Sequence, residues 1–218
     1  MKEILCFGDS NTYGLIPGTT RRYDRETRWT GILAEKLYDK GYRIIEEGLC
    51  GRTSVFDDAT RDGRNGAKVL PILLETHAPL DQVVLMLGTN DCKTYNHASA
   101  DRIGKGIEKL IQQIRKADPA IDILLVSPIE LGEDVWKPGF DLEFDQHSVK
   151  VSKELKQTYL KIAWKYGCDF LAASDVAKPS KADMEHMNEK GHKNLAKAIE
   201  SFLVEKERNH SNNYVNVV

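Results

Sequence analysis

Five short apolar runs punctuate the chain: "EILCFG" from Glu3, "YRIIEEGL" from Tyr42, "QVVLMLG" from Gln82, "DILLVSP" from Asp122 and "CDFLAA" from Cys168. Each is too short for a helix and rich in Val, Ile and Leu, as expected of strands buried on both faces of a parallel sheet. Between them the period changes. Ile103, Ile107, Leu110, Ile111 and Ile114 recur at three- and four-residue spacing and make one apolar helix face, as do Leu195, Ala198, Ile199, Phe202 and Leu203. Three more helices are predicted: from about Trp29 to Asp39, around "AKVLPILLETH" with Pro71 near its start, and from about His147 to Tyr166.

Strand and helix thus alternate from end to end, the pattern of an α/β domain with a mostly parallel sheet and right-handed crossovers that place helices on both faces. With 218 residues the chain is long enough for one sizeable core and short for two. No repeat or linker divides it, so a single domain is expected over 1–206, followed by a polar, Asn-rich tail over 207–218 that frays or packs on a partner.

Composition narrows the function by exclusion. A formal charge of −2 offers no electrostatic case for nucleic acid or an acidic membrane surface. No apolar run approaches the ~20 residues that span a bilayer. The start "MKEILCFGDS" has too short an apolar stretch for a signal peptide, so a cytoplasmic protein is expected. Cys6, Cys50, Cys92 and Cys168 contain no C-x-x-C pair and read as reduced thiols, three of them buried at strand ends. Six histidines without metal-ligand spacing argue for no metal, and no Walker, dinucleotide or G-x-S-x-G motif is present.

In a parallel sheet, ligands bind beyond the carboxyl ends of the strands, where the β-to-α loops converge. There the sequence places Asp9-Ser10-Asn11, then Cys50-Gly51-Arg52-Thr53-Ser54, then Gly88-Thr89-Asn90-Asp91, and last Asp183-Met184-Glu185-His186. Each is an ordinary turn by itself. Together they supply a set complete for acyl transfer. Ser10 is the candidate nucleophile, His186 the base that activates it, and Asp183 the carboxylate that orients the imidazole. The N–H groups of Ser10 and Gly51 and the amide of Asn90 are candidate oxyanion donors. Asp91 reads as a structural acceptor.

These blocks, in order, resemble the SGNH (GDSL-type) hydrolase superfamily: "FGDSNTYG", "EEGLCGRTS", "LGTND" and "DMEH", with similarity running from about Ile4 to Val204. The resemblance implies a flavodoxin-like three-layer sandwich whose five-stranded parallel sheet has the order 2-1-3-4-5. It also implies hydrolysis of esters or thioesters through an acyl-serine without a cofactor, with Ser10, Asp183 and His186 as the triad and Gly51 and Asn90 completing the oxyanion site. "RWTGILAEKL" and "PLDQVVLMLGTNDCKTY" are similar to the arylesterase and acyltransferase branch, which favours short acyl groups and often forms homo-oligomers. One position departs from the family: Asn11 stands where leucine is usual, and is expected to make the wall beside the nucleophile more polar.

Two connections exceed what the fold requires, "TYGLIPGTTRRYDRET" after the first strand and "IELGEDVWKPGFDLEF" after the fourth. Tyr13, Trp136 and Phe140, with Asn11, are candidate pocket residues for a small ester, although the rings equally suit packing that anchors long loops. Arg21, Arg22, Arg25 and Arg28 read as a solvated or subunit-contact surface. Cys50 puts a thiol beside the candidate site, with sensitivity to oxidants as a consequence. Carbohydrate O-deacetylase, thioesterase and lysophospholipase activities are alternatives on the same triad. A flavin- or phosphate-binding module is the rival of another class. It lacks the expected Thr-Gly-x-Thr loop and leaves Asn90, Asp183 and His186 without employment.

Overall fold

The structure, a computed structural model, describes residues 1–215, with side chains described as far as Lys206. The strands are β1 (Lys2–Gly8), β2 (Tyr42–Gly48), β3 (Gln82–Met86), β4 (Asp122–Ser127) and β5 (Asp169–Ala172). They form one parallel sheet in the order β2-β1-β3-β4-β5. The helices are α1 (Ser10–Tyr13), α2 (Trp29–Tyr38), α3 (Gly66–Thr76), α4 (Ala100–Ala117), α5 (Gln146–Tyr166) and α6 (Glu189–Val215).

The unbroken apolar runs have a direct cause: successive side chains of a strand point to opposite faces, and both faces are covered. Leu5 and Phe7 of β1, Val83 and Leu85 of β3, and Ile123 and Leu125 of β4 enter the core under α3, α4 and α5. Their neighbours Ile4, Cys6, Val84, Met86, Leu124 and Val126 enter a second core under α2 and α6. The α4 isoleucines expected to form one face, Ile103, Ile107, Ile111 and Ile114, are all 0% exposed.

Local chemistry sets the helix ends. Ser99 accepts the Arg102 N–H at the start of α4, and Asp145 with Ser148 closes a reciprocal capping box at the start of α5. Gly167, at φ 62°, ends α5 in the left-handed conformation that glycine adopts without strain. Pro71 lies inside α3 rather than near its start. Its missing N–H frees the carbonyl of Ala67 four residues back, and Gln113 Nε2 on α4 donates to that oxygen at 2.8 Å.

One expectation needs correction. Cys50 and Cys168 are half-buried, and only Cys6 and Cys92 are fully enclosed. Helix α6 runs well past the Leu195–Leu203 stretch, to Val215, and the tail expected over 207–218 lies outside the residues whose side chains are described. No helix among the described residues is long and apolar enough to cross a membrane.

Candidate active site

The turn that carries Ser10 is dictated by crowding at the end of β1. A Cβ on Gly8 would fall 2.1 Å from Thr12 Oγ1 and 2.7 Å from the Met86 carbonyl, so only glycine fits. Asp9 follows and accepts the Asn11 N–H at 3.0 Å, capping the single turn of α1. The chain leaves through Gly14 at φ 84°. Ser10, first in that turn, is 3% exposed.

The loop from Ser180 to Met187 brings His186 to it. Ser180 N–H donates to the His186 carbonyl at 2.7 Å, Met184 N–H donates to the Ser180 carbonyl at 2.8 Å, and Met184 takes φ 62° to make the reversal. His186 Nε2 then lies 2.8 Å from Ser10 Oγ, and Nδ1 lies 2.8 Å from Asp183 Oδ2. A carboxylate accepts only, so the ring proton sits on Nδ1 and Nε2 is free to accept from the hydroxyl.

Asp183 is held ionised. Burial acts to raise its pKa, but the His186 ring and the N–H groups of His186 and Glu185 outweigh that and lower it. Those N–H groups both donate to Oδ1 at 3.0 Å, and Gly18 N–H donates to Oδ2 at 2.9 Å. The long loop after Ser10 therefore helps to hold Asp183. For His186, burial acts to lower the pKa, and the carboxylates of Glu185, Asp183 and Asp9 overcome it and leave the ring above its ordinary value.

Two more strand ends complete the arrangement. Gly51 turns at φ 81°, and among the described residues neither its N–H nor that of Ser10 has a hydrogen-bond partner. Asn90 Nδ2 donates to the Arg52 carbonyl at 3.1 Å, which leaves its second N–H available. Arg52 itself is 3% exposed. Its guanidinium donates to the carbonyls of Gly8 and Glu47 and stacks 4.3 Å over Phe7, tying the ends of β1 and β2 together. Burial lowers its pKa to about 10. Asp91 accepts the N–H and hydroxyl of Ser54, the structural part expected of it.

The residues expected from four separate loops thus meet at one sheet edge. The GDSL-like lipase/acylhydrolase family pattern matches residues 6–193. The chain belongs to that family. Like its relatives it is an ester-hydrolysing enzyme with the SGNH hydrolase fold. The M. smegmatis aryl esterase is 35% identical, with TM-score 0.89 over 94% of this chain and 99% of that one. A carbohydrate acetylesterase from Sinorhizobium meliloti is 37% identical, with TM-score 0.85 over 94% and 99%. TesA, 20% identical with TM-score 0.64 over 90% and 94%, shares the fold alone. No curated protein sequence matches the chain.

The expected pocket residues fare differently. Asn11 is not an open polar wall: its Oδ1 accepts the Met187 N–H at 2.9 Å, and its Nδ2 donates to the Glu185 carbonyl at 3.4 Å. Tyr13 lies under Arg22, whose guanidinium is 4.4 Å above its ring. Trp136 packs on the core beneath α3, α4 and α5 and donates to the Glu133 carbonyl at 2.9 Å. Phe140 is half-buried in a turn closed by its N–H on the Lys137 carbonyl. Among the arginines, Arg28 is not a solvated surface group: it grips Glu46 with two bonds of 2.6 and 2.8 Å. Burial raises the Cys50 thiol, which argues against the reactivity expected of it.

Sequence reasoning missed Glu185, a buried carboxylate 3.8 Å from His186 Nε2, and the bracing parts of Asn11 and Arg52. Only the position of Glu185 between Asp183 and His186 signalled it. A groove of about 610 Å³ opens at the opposite sheet edge, lined by Lys2, Asp81, Gln82, Asp118 and Lys206 among others. No histidine lines it, in contrast to the arrangement at Ser10. No metal-binding cluster of His, Cys, Asp and Glu occurs among the described residues.

Proposed function

We propose that the enzyme hydrolyses small esters with short acyl groups through an acyl-serine on Ser10. The observation that carries this reading is the pair of 2.8 Å contacts that join Ser10 Oγ to His186 and His186 to Asp183. Ser10 Oγ attacks the ester carbonyl as its proton passes to Nε2, and the carbonyl electron pair moves onto oxygen. The N–H groups of Ser10 and Gly51 and the amide of Asn90 receive that oxyanion. Collapse breaks the bond to the alcohol, whose oxygen takes the proton from Nε2. Water then attacks the acyl group, gives its proton to Nε2, and the proton returns to Oγ as the acid leaves.

The carbohydrate acetylesterase supports a small acyl group on this scaffold. The acetylesterase favours, as a second reading, an acetylated sugar as the substrate. The test is p-nitrophenyl acetate with the wild type and Ser10→Ala, alongside mass spectrometry after fluorophosphonate treatment. Turnover should fall by at least ~10³ in the variant, and the label should sit on Ser10. Undiminished turnover by a folded Ser10→Ala enzyme would remove Ser10 as the nucleophile.

A further inference from the structure

Glu185 has a peculiar position. It is 6% exposed, and one carboxylate oxygen lies 3.8 Å from His186 Nε2, the ring nitrogen that faces Ser10 rather than the one held by Asp183. Among the described residues no N–H or O–H donates to that carboxylate. The nearby Lys93 ammonium is bonded to Glu143. A buried carboxylate without donors is costly to keep. Burial accordingly pushes the Glu185 carboxyl above its usual range, against the pull of His186 and Lys93. His186 and Lys93 offset part of that cost by charge alone, so the hydrogen-bond donor it lacks is to be sought in what binds.

The reaction fixes what binds there. Nε2 must hand its proton to the departing alcohol oxygen, which therefore comes within hydrogen-bond reach of Nε2. A carboxylate beside Nε2 then flanks the first atoms of the alcohol. We infer that Glu185 is a specificity-determining residue: it accepts a hydrogen bond from a free hydroxyl on the carbon next to the ester-bearing one. The preferred substrates are then partly acylated polyols, acylated sugars among them, and alcohols carrying an anion at that position are disfavoured by repulsion. The inference rests on the assignment of Ser10 and His186 above and goes beyond it in naming the alcohol side of the substrate.

The test compares 2-hydroxyethyl acetate with 2-methoxyethyl acetate, in which O–CH3 replaces the O–H donor and the leaving alcohols have similar acidity; the Glu185 variants separate loss of the donor from the bulk of the methyl. A site with an acceptor waiting for that hydroxyl should prefer the first by at least about tenfold in kcat/KM. Glu185→Leu, which cannot accept, should bring the ratio close to one, whatever happens to either rate. If the leucine variant does not fold, Glu185→Gln, which keeps the shape and loses the charge, must still lower the ratio. A wild-type ratio near one, or a ratio that survives removal of the carboxylate, overturns the inference. Hydrolysis of p-nitrophenyl acetate with a ratio near one sinks this inference alone, and loss of all ester hydrolysis in the wild type sinks the assignment of Ser10 with it.

Discussion

Asn11 Oδ1 accepts the backbone N–H of Met187 at 2.9 Å, one residue beyond His186 and one residue beyond Ser10. With Asn11 Nδ2 on the Glu185 carbonyl at 3.4 Å, this clasp joins the turn of Ser10 to the loop of His186 across 176 positions of sequence. A leucine side chain has neither donor nor acceptor, so the clasp depends on the amide of Asn11.

Replacing Asn11 by leucine tests it. The variant leaves the buried Met187 N–H without its partner, a cost of about 1–3 kcal/mol. Thermal unfolding should move to lower temperature. The loosened His186 should lower kcat by about tenfold, the size expected for a small misplacement of a catalytic group, while KM changes little. A stability loss without any change in kcat would show that the clasp supports the fold and not the alignment of the base.

The pH dependence follows from the same ring. His186 must be neutral to accept the Ser10 proton, and its pKa is raised: burial works downward, but Glu185, Asp183 and Asp9 together prevail. A raised pKa favours the protonated, inactive imidazole, so kcat/KM for a neutral ester should fall on the acid side with a midpoint above the ordinary histidine value of about 6.5. Glu185→Gln removes one of the three carboxylates and should move that midpoint to lower pH. The profile of kcat/KM from pH 5 to 9, in both proteins, checks the direction; a midpoint shifted upward in the variant contradicts it.

Why some of this could be read from the sequence and some could not has a physical answer. Strands such as β3 declare themselves because both their faces must be apolar, and α4 because only one of its faces must be. Ser10, Asn90, Asp183 and His186 were visible because a parallel sheet gathers its strand ends, whatever the loops between them do. The pocket was not visible in the same way. Asn11, Tyr13 and Trp136 were assigned by residue type, and type does not say which way a loop side chain turns. Asn11 turned to a backbone N–H and Tyr13 to a guanidinium, contacts between segments whose meeting only the folded chain decides. Arg52 and Glu185 were passed over for the same reason: buried charges are rare, and nothing local marks them.

Asn90 offers a cleaner separation of binding from chemistry. One of its side-chain N–H groups is spent on the Arg52 carbonyl, and the other is available to the developing oxyanion. Asn90→Ala should therefore cost about 10²–10³ in kcat, the usual loss for one such donor, with little effect on KM. Steady-state kinetics on p-nitrophenyl acetate measures both. A rise in KM at constant kcat would assign Asn90 to ground-state binding instead.

Gly51 carries the last prediction, because its conformation and its suggested donor are the same backbone unit. At φ 81° an alanine pays about 1–2 kcal/mol of left-handed strain. Its Cβ would also fall 2.6 Å from Arg61 Nη2, which with Nε is bonded to the Asp58 carboxylate. Relieving that contact disturbs the Arg61–Asp58 pair, a cost added to the strain. The chain can keep its course and lose stability, or rotate the peptide and turn the Gly51 N–H away from Ser10. The first outcome lowers the melting temperature and leaves kcat intact. The second lowers kcat by about 10² or more, as removal of an oxyanion donor does. The Ser10 assignment with Gly51 as a donor expects the kinetic loss in Gly51→Ala. An enzyme that melts earlier but turns over p-nitrophenyl acetate at the wild-type rate would leave Gly51 as a turn residue and Asn90 with Ser10 as the remaining donors.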